Sequence, residues 1–485
     1  MARPRLFLLC ITVVYAAAFL SPAQRDLIVG DETKYGQVVR EMSETGRWIL
    51  PTLEGAPFTH KPPIHFWLIR LLTFPLGIYS TWAFVIPSLV AFAFLVWLMW
   101  RMSGPLAAFI CATSLLVWAS AQTARMDVSF TAFITLGVWL MERESLPLAA
   151  IALGIATLIK GPMPIVIAIV LFALEWWRRR SAPRGNYLLA IVLLIAIPML
   201  WFVPAMMSGG ASYTNDVLHK QIAGRAVGAW VHASPPWARL FACAYYLAHS
   251  PGFLFPWFAL GVTAIWTRWR EQRFNINWIL AVLVPYSLMS SKLDVYMMAL
   301  VPPLSIVIAD AVENAPVATR RANIGMLVLF LIIGAVIPFV KLPPLPVHIV
   351  IPMIALAIAA AIGLFMRNAM ASTIAVGLVP LVPLIAIVCT EMPRLNEFAS
   401  TRRLIAALEQ QHVAPQDIAL YSCPYLWSRD MPRELEHVRY VTPQSLGRPI
   451  VVATSAKHAN EIKLPGYAKT TTIEMIGKPF DVYRR

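Results

Sequence analysis

The stretch LPLAAIALGIATLIKGPMPIVIAIVLFALEWWRRR, residues 146–180, decides how the chain is laid out. Its apolar part, 146–177, is read either as one long helix or as two short ones. Crossing the hydrocarbon core takes about 20 apolar residues, and fewer inside a bundle. Lys160-Gly161-Pro162 sits in the middle. Proline cannot donate to a helical ladder, and an ionisable lysine is costly at mid-membrane. The stretch therefore predicts two spans, 146–158 and 162–177, turning at Lys160. Arg178-Arg179-Arg180 then lies on the other side of the membrane from Lys160. Merging the two spans would reverse every later loop.

Working outward, apolar runs predict further spans at 5–22, 80–100, 104–122, 128–142, 187–205, 240–266, 277–290, 295–311, 322–341, 346–366 and 370–390, about thirteen in all. With the N-terminus inside, as Arg3 and Arg5 suggest, every inside loop carries arginine: Arg101, Arg143, Arg178 to Arg180 with Arg184, Arg268 with Arg270 and Arg273, Arg320-Arg321, and Arg367. That is the positive-inside pattern. The segment Leu6 to Leu20, with small residues Ala16 to Ala18, has features of a cleavable signal. It is also long enough to span, and is read as a retained anchor.

Composition agrees. The chain of 485 residues is 59% hydrophobic and 13% charged, against about 25% charged in soluble domains. Mean hydropathy is +0.66. A net charge of +15 would suggest nucleic acid in a soluble protein; here it follows from arginine in inside loops, and no nucleic-acid partner is expected. Cys10, Cys111, Cys243, Cys389 and Cys423 contain no CxxC pair, so they indicate neither a disulfide framework nor a zinc site.

The expected fold is therefore a polytopic α-helical membrane protein. Residues 1–390 form the transmembrane part, with long outside loops at 23–79 and 206–239. Residues 391–485 form a small outside α/β domain, with a helix near Ser400 to Gln411 and strands at Asp417–Tyr421, Val438–Val441 and Pro449–Ala453.

Polar residues gather at the outside face. The first loop opens with Asp31-Glu32-Thr33-Lys34-Tyr35, whose paired carboxylates suit general-base work or cation binding; the plain alternative is a capped helix start. Lys61, fixed between His60 and Pro62-Pro63, suits aiming an ammonium at a phosphate, or contacting lipid head groups. Arg125 with Asp127, then Lys160, then Lys292 with Tyr296 stand at span mouths, where ionisable groups are functional candidates; singly, each is equally explained by snorkelling or helix pairing. Asp216, His219, Lys220, Arg225 and His232 in the second loop offer phosphate contacts or a metal ligand, or simply satisfied polar contacts. Jointly, one carboxylate and several cations on one face suit one reaction class. Cations stabilise a departing lipid phosphate while a carboxylate takes a proton from the attacking hydroxyl. No Walker motif, GxGxxG or DxD is present, so a nucleotide donor is not indicated.

These same residues resemble the aminoarabinose lipid A transferase-like family of polyprenyl-phosphate-dependent C-type membrane glycosyltransferases, which is related to protein O-mannosyltransferases. The family's Asp-Glu-x-x-Tyr turn is matched by Asp31, Glu32 and Tyr35. Its Arg-Glu-Met helix and Gly-x-Trp are matched by Arg40–Met42 and Gly46–Trp48. Leu53–Gly55, Lys61–Pro63, Lys160–Pro162, Phe255–Trp257 and Ser291-Lys292 with Tyr296 follow in order, and Arg225 with His232–Trp237 matches more loosely. The likeness covers about residues 25–300, and the plan of spans and tail extends it over the chain.

The resemblance implies a multi-pass enzyme of a bacterial inner (plasma) membrane, N-terminus cytoplasmic and C-terminus periplasmic. It would move a sugar from a polyprenyl-phosphate donor to a lipid or glycolipid acceptor such as lipid A or lipopolysaccharide core. Asp31 would be the base and Lys61 the carrier-phosphate lysine, with Arg225 and Lys292 holding the phosphate. Glu32, Tyr35, Arg125, Asp127, Lys160 and Tyr296 would line the substrate pocket. The family's metal-linked Glu before the lysine is replaced by His60, so a divalent metal, zinc or another, would rest on His60 and His219, the latter about one residue off the family spacing. A protein O-glycosyltransferase with the same donor and a lipid-linked sugar translocator are the alternatives. A translocator needs polar groups at both faces, and here they gather at one.

Overall fold

The computed structural model describes every residue except 1, 181–183, 225–235, 290, 337–346, 443, 448 and 463. Arg225 and His232 lie outside the described residues. Among the described residues six helical stretches are long and apolar enough to cross a membrane: Pro4–Ala23, Thr81–Ser103, Tyr187–Gln221, Asp294–Asn314, Pro316–Val336 and Ala369–Ala386. Ile64–Leu76, Leu146–Lys160 and Val350–Leu364 are apolar but shorter. The architecture is that of a polytopic helical membrane protein.

The stretch 146–180 folds as two helices, Leu146–Lys160 and Met163–Arg179. Gly161 between them takes φ 121°, a conformation open to glycine and strained for other residues. Lys160 and the arginines thus end opposite ends of a helical hairpin. Three predicted spans contain breaks the apolar pattern does not show. Residues 104–122 divide into Pro105–Ala112 and Leu115–Ala121, residues 240–266 into Pro236–Phe253 and Phe258–Arg268, and residues 370–390 into Ala369–Leu378 and Leu381–Ala399. The first break is used: Leu115 N–H, left without a helical acceptor, donates to the Phe255 carbonyl at 3.0 Å.

The first outside loop carries helix Asp31–Thr45, a two-stranded hairpin Thr52–Leu53 with Ala56–Pro57, and helix Ile64–Leu76. Glu54 (φ 57°) and Gly55 (φ 74°) give the hairpin its turn. The buried Glu41 carboxylate fixes that turn by accepting from Thr52 Oγ1 at 2.6 Å, Glu54 N at 2.7 Å and Gly55 N at 3.1 Å. Helix Ile64–Leu76 buries Phe66 and Ile69 but exposes Leu68, Leu71 and Phe74, the pattern of a helix whose outer side meets lipid.

Helix Leu381–Ala399 runs through position 391, and the C-terminal sheet follows it. Helix Arg402–Glu409 and strands Ile418–Tyr421, Arg439–Tyr440 and Val451–Ser455 form where the sequence predicts them. Two more strands, Ala468–Met475 and Lys478–Arg484, add an antiparallel hairpin. The sheet orders as 439–440, 418–421, 451–455, 478–484, 468–475, parallel across the first three. Leu404, Ile405 and Leu408 pack on one face, and Leu446 and Ile462 on the other.

This domain is pinned to the start of the first loop. The fully buried Asp26 carboxylate accepts from Arg402 Nη2 at 3.1 Å and Ser428 Oγ at 3.3 Å, and the Asp26 N–H donates to Asn396 Oδ1 at 2.9 Å. Trp427 enters the loop's own core, edge-on to Phe84 at 5.7 Å. Tyr425 donates to Glu54 on the hairpin turn at 2.7 Å.

Candidate active site

Asp31 and Glu32 are adjacent in sequence and opposite in role. Successive side chains on a helix point about 100° apart, so one faces the site and its neighbour the core. Glu32 is buried, and its oxygens are taken by Arg25 at 2.7 and 2.9 Å, by Ile28 N at 2.6 Å and by Ala124 N at 2.5 Å. Arg25, only 2% exposed in its side chain, also donates to the Gln122 carbonyl at 2.6 Å. This corrects the expectation that Glu32 lines the substrate pocket. It clamps the loop helix to the 122–124 connection, which sets the next residue, Arg125, opposite Asp31.

Asp31, 46% exposed in its side chain, accepts from Arg125 Nη2 at 3.3 Å. Arg125 Nε stands 3.7 Å from Asp127 Oδ2, and the other Asp127 oxygen binds Lys160 Nζ. Lys160 lies 4.7 Å from the Tyr296 ring centroid and 5.6 Å from that of Phe130. Four predicted residues therefore form one chain of alternating charge, Asp31, Arg125, Asp127, Lys160, with Tyr296 packed beneath its last member. Asp127 stands just ahead of the span it opens. Burial pushes its carboxyl up, but the Lys160 and Arg125 charges, with Lys61 adding to them, hold it below the ordinary carboxylate range.

Tyr35, one turn on from Asp31, is buried edge-on to His65 at 5.9 Å and Phe66 at 5.3 Å. Burial, with the Asp31 and Asp127 carboxylates nearby, holds its phenol well above the ordinary value, so it stays a neutral donor. Burial also pushes the His65 imidazole down to about 4.

A cavity of about 210 Å³ opens beside Lys160. Lys61, His60 and Lys160 line its polar side, and Pro198, Trp201 and Phe202 of helix Tyr187–Asn215 its apolar side. That helix exposes Leu188, Leu200, Val203 and Met207 elsewhere, so the apolar wall belongs to a lipid-facing helix. Trp201 Nε1 donates to the Ile49 carbonyl at 2.8 Å and ties the helix to the loop.

Two expectations meet different outcomes. Lys292 donates to the carbonyls of Tyr286, Ser287 and Met289 at 2.9, 2.6 and 2.5 Å. These are C-terminal carbonyls of helix Arg273–Leu288 and the residue after it, so Lys292 caps a helix end. His60 lines the cavity, and His219 does not. Tyr213, Val217 and Gln221 turn toward the cavity from the segment that carries His219, while His219 is exposed and is not among the lining residues. Among the described residues no group of three or more His, Cys, Asp or Glu could hold a metal.

Sequence reasoning missed Arg25, His65 and Trp427. Arg25 precedes the paired carboxylates by a short irregular connection and is a detectable partner; the other two take their meaning from contacts distant in sequence.

No family model matches the chain. It is 25% identical over 314 residues to undecaprenyl phosphate-alpha-4-amino-4-deoxy-L-arabinose arabinosyl transferase 1 of Pseudomonas fluorescens, covering 59% of this chain and 54% of that one. It is 27% identical over 343 residues to the similarly named transferase of Pectobacterium atrosepticum, covering 64% and 60%. The chain thus spans between half and two thirds of the length of these relatives. Its fold matches the crystal structure of ArnT from Cupriavidus metallidurans bound to undecaprenyl phosphate, with a TM-score of 0.73 and 18% identity over 99% of this chain and 98% of that one. By sequence and by fold, the chain is similar to the aminoarabinose lipid A transferase-like family of helical membrane proteins.

Proposed function

We propose that the protein is a polyprenyl-phosphate-dependent glycosyltransferase of a bacterial inner membrane. It crosses about thirteen times, N-terminus cytoplasmic and C-terminus periplasmic, and transfers a sugar, of the aminoarabinose kind its relatives are named for, to a lipid acceptor such as lipid A or lipopolysaccharide core. The observation that carries this is the cavity shared by Lys61 and Lys160. It presents two ammonium groups at one end and an aromatic and proline wall, on a lipid-facing helix, at the other. A phosphate on an isoprenoid tail has matching chemistry, and it would arrive laterally from the bilayer.

The phosphate would lie between Lys61 and Lys160. Asp31, held by Arg125, would take the proton from the acceptor hydroxyl as its oxygen bonds to the anomeric carbon. The bond from that carbon to the phosphate oxygen breaks, and the polyprenyl phosphate leaves with one more negative charge, which the two lysines offset. Preorganised donors at such a position are worth about 10²–10³ in rate each, and a positioned base about 10²–10⁴. The test is transfer by purified protein in detergent from undecaprenyl-phosphate aminoarabinose to lipid A. Sugar on lipid A with wild type, lost in folded Asp31→Asn and Lys61→Ala, is the expected result. Transfer surviving in Asp31→Asn overturns the base assignment, and transfer only to protein would make this a protein O-glycosyltransferase.

A further inference from the structure

Transfer as proposed above needs a second place, for the acceptor, and a second cavity meets the same ion-pair chain. It measures about 340 Å³ and opens beside Arg125. It shares no lining residue with the Lys61 and Lys160 cavity. The two are nevertheless joined by one carboxylate: Lys160 lines the first and binds Asp127, while Arg125 lines the second and stands 3.7 Å from Asp127. Asp31 is attached to the Arg125 end of that chain, at 3.3 Å. Asp31 itself does not line the second cavity, but it stands one ion pair away from Arg125, which does.

The second cavity has its own polar equipment. Ser120, Thr123 and Asp294 line it, Asp294 being 48% exposed in its side chain, and Phe253 adds an apolar surface. Asp294 Oδ1 is 3.2 Å from His249 Nδ1, and the His249 ring in turn packs 3.9 Å from the Tyr245 ring centroid. Neither Asp294 nor His249 carries a structural load like that of Glu32 or Asp26: both are about half exposed. A braced carboxylate, two hydroxyl-bearing side chains, a guanidinium and an aromatic wall suit a saccharide. Its hydroxyls donate to the carboxylate and its C–H face rests on the ring.

We infer that this cavity receives the saccharide headgroup of the acceptor glycolipid, and that Asp294, steadied by His249, is the acceptor-specificity residue. Asp294 accepts hydrogen bonds from the headgroup hydroxyls, which turns the attacking oxygen toward Asp31. The donor enters by the Lys61 side and the acceptor by the Arg125 side, so the two meet at the ion-pair chain and do not compete for one opening. The inference rests on the transfer reaction proposed above.

The test compares wild type with Asp294→Asn and His249→Gln in detergent. It reads the KM for each substrate separately, together with direct binding of Kdo2-lipid A in the absence of donor. Asp294→Asn should raise the KM for lipid A about tenfold or more, the loss expected of a charged hydrogen bond. The donor KM should stay within about twofold and lipid A binding should weaken in parallel. His249→Gln should move the same constant in the same direction by less, and it carries the test if Asp294→Asn does not fold. Unchanged acceptor KM and binding in a folded variant, or equal rises for both substrates, overturn the inference. Wild type that binds lipid A without transferring sugar overturns the reaction reading alone, since the binding comparison still decides the cavity. Wild type that neither binds nor transfers overturns both.

Discussion

The indole of Trp427 is seated on the bare backbone of Gly36. A Cβ built on Gly36 would meet Trp427 Cδ1 at 2.7 Å and Leu27 Cδ1 at 3.3 Å. Gly36 follows Tyr35 on the helix that begins with Asp31. The C-terminal domain is thus a support pressed against the back of the helix that carries the assigned base, and the Asp26 to Arg402 pair locks the same approach. Position 36 is fixed by that contact, because no side chain larger than hydrogen fits under a rigid ring.

Gly36→Ala should therefore undock the domain. Overpacking of this kind costs about 1–3 kcal/mol, and the helix itself would gain from alanine, so a net loss of stability comes from the close contacts, of which Trp427 at 2.7 Å is the tightest. The measurement is thermal unfolding in detergent beside limited proteolysis of the C-terminal domain. Gly325→Ala, where a Cβ meets nothing within 4 Å, is the control expected to be neutral or slightly stabilising. Equal melting temperatures for Gly36→Ala and wild type would refute the docking role.

The neighbouring carboxylates give the sharpest contrast. Glu32→Gln leaves the buried Arg25 guanidinium without its counter-charge, and breaking a buried pair costs about 3–5 kcal/mol. Asp31→Asn alters a half-exposed side chain and should melt close to wild type while losing transfer by about 10²–10⁴. Both are read from melting curves and initial rates on the same preparations. A stable but inactive Glu32→Gln would return Glu32 to the substrate pocket.

The split between these two residues shows what the sequence can carry. Lys160-Gly161-Pro162 marks its own break because the cause is local, a proline and a glycine with φ 121°. Arginine clusters likewise mark helix ends directly. Adjacent acids do not say which of them faces the core, since that depends on where Arg25 and Ala124 arrive. The last hairpin was illegible for a related reason: its turn is Ile476-Gly477, both at positive φ, and isoleucine is not a residue that announces such a turn. The docking of Asp26 on Arg402 spans 376 positions, and no local pattern encodes it. Lys292 is ambiguous in the sequence because a lysine just past a helix end serves carbonyls and phosphates with the same three protons.

Lys292→Met tests that last reading. Removing the ammonium frees the carbonyls of Tyr286, Ser287 and Met289, a loss toward the low end of about 1–3 kcal/mol because these acceptors are only partly buried. The melting temperature should fall, and the donor KM of the folded fraction should change far less than in Lys61→Ala. A donor KM raised as much as by Lys61→Ala would restore Lys292 to the phosphate.

Asp127 sets the acid limit of the site. Its carboxyl is held below the ordinary value, which is about 3.9 in an unfolded chain. A folded value below the unfolded one means stability that is fully present above the unfolded value and is lost as pH falls through the folded one. The difference in stability between wild type and Asp127→Asn should therefore be constant from about pH 5 to 8 and shrink below about pH 4. Its plateau should approach the 3–5 kcal/mol, in round terms about 4, of a broken buried pair, because Lys160 and Arg125 would then face each other across an uncharged amide. Melting curves of both proteins between about pH 2 and 8 measure it. A difference that changes between about pH 6 and 8 would place the titrating group elsewhere, since a carboxyl held below its ordinary value does not change charge in that window.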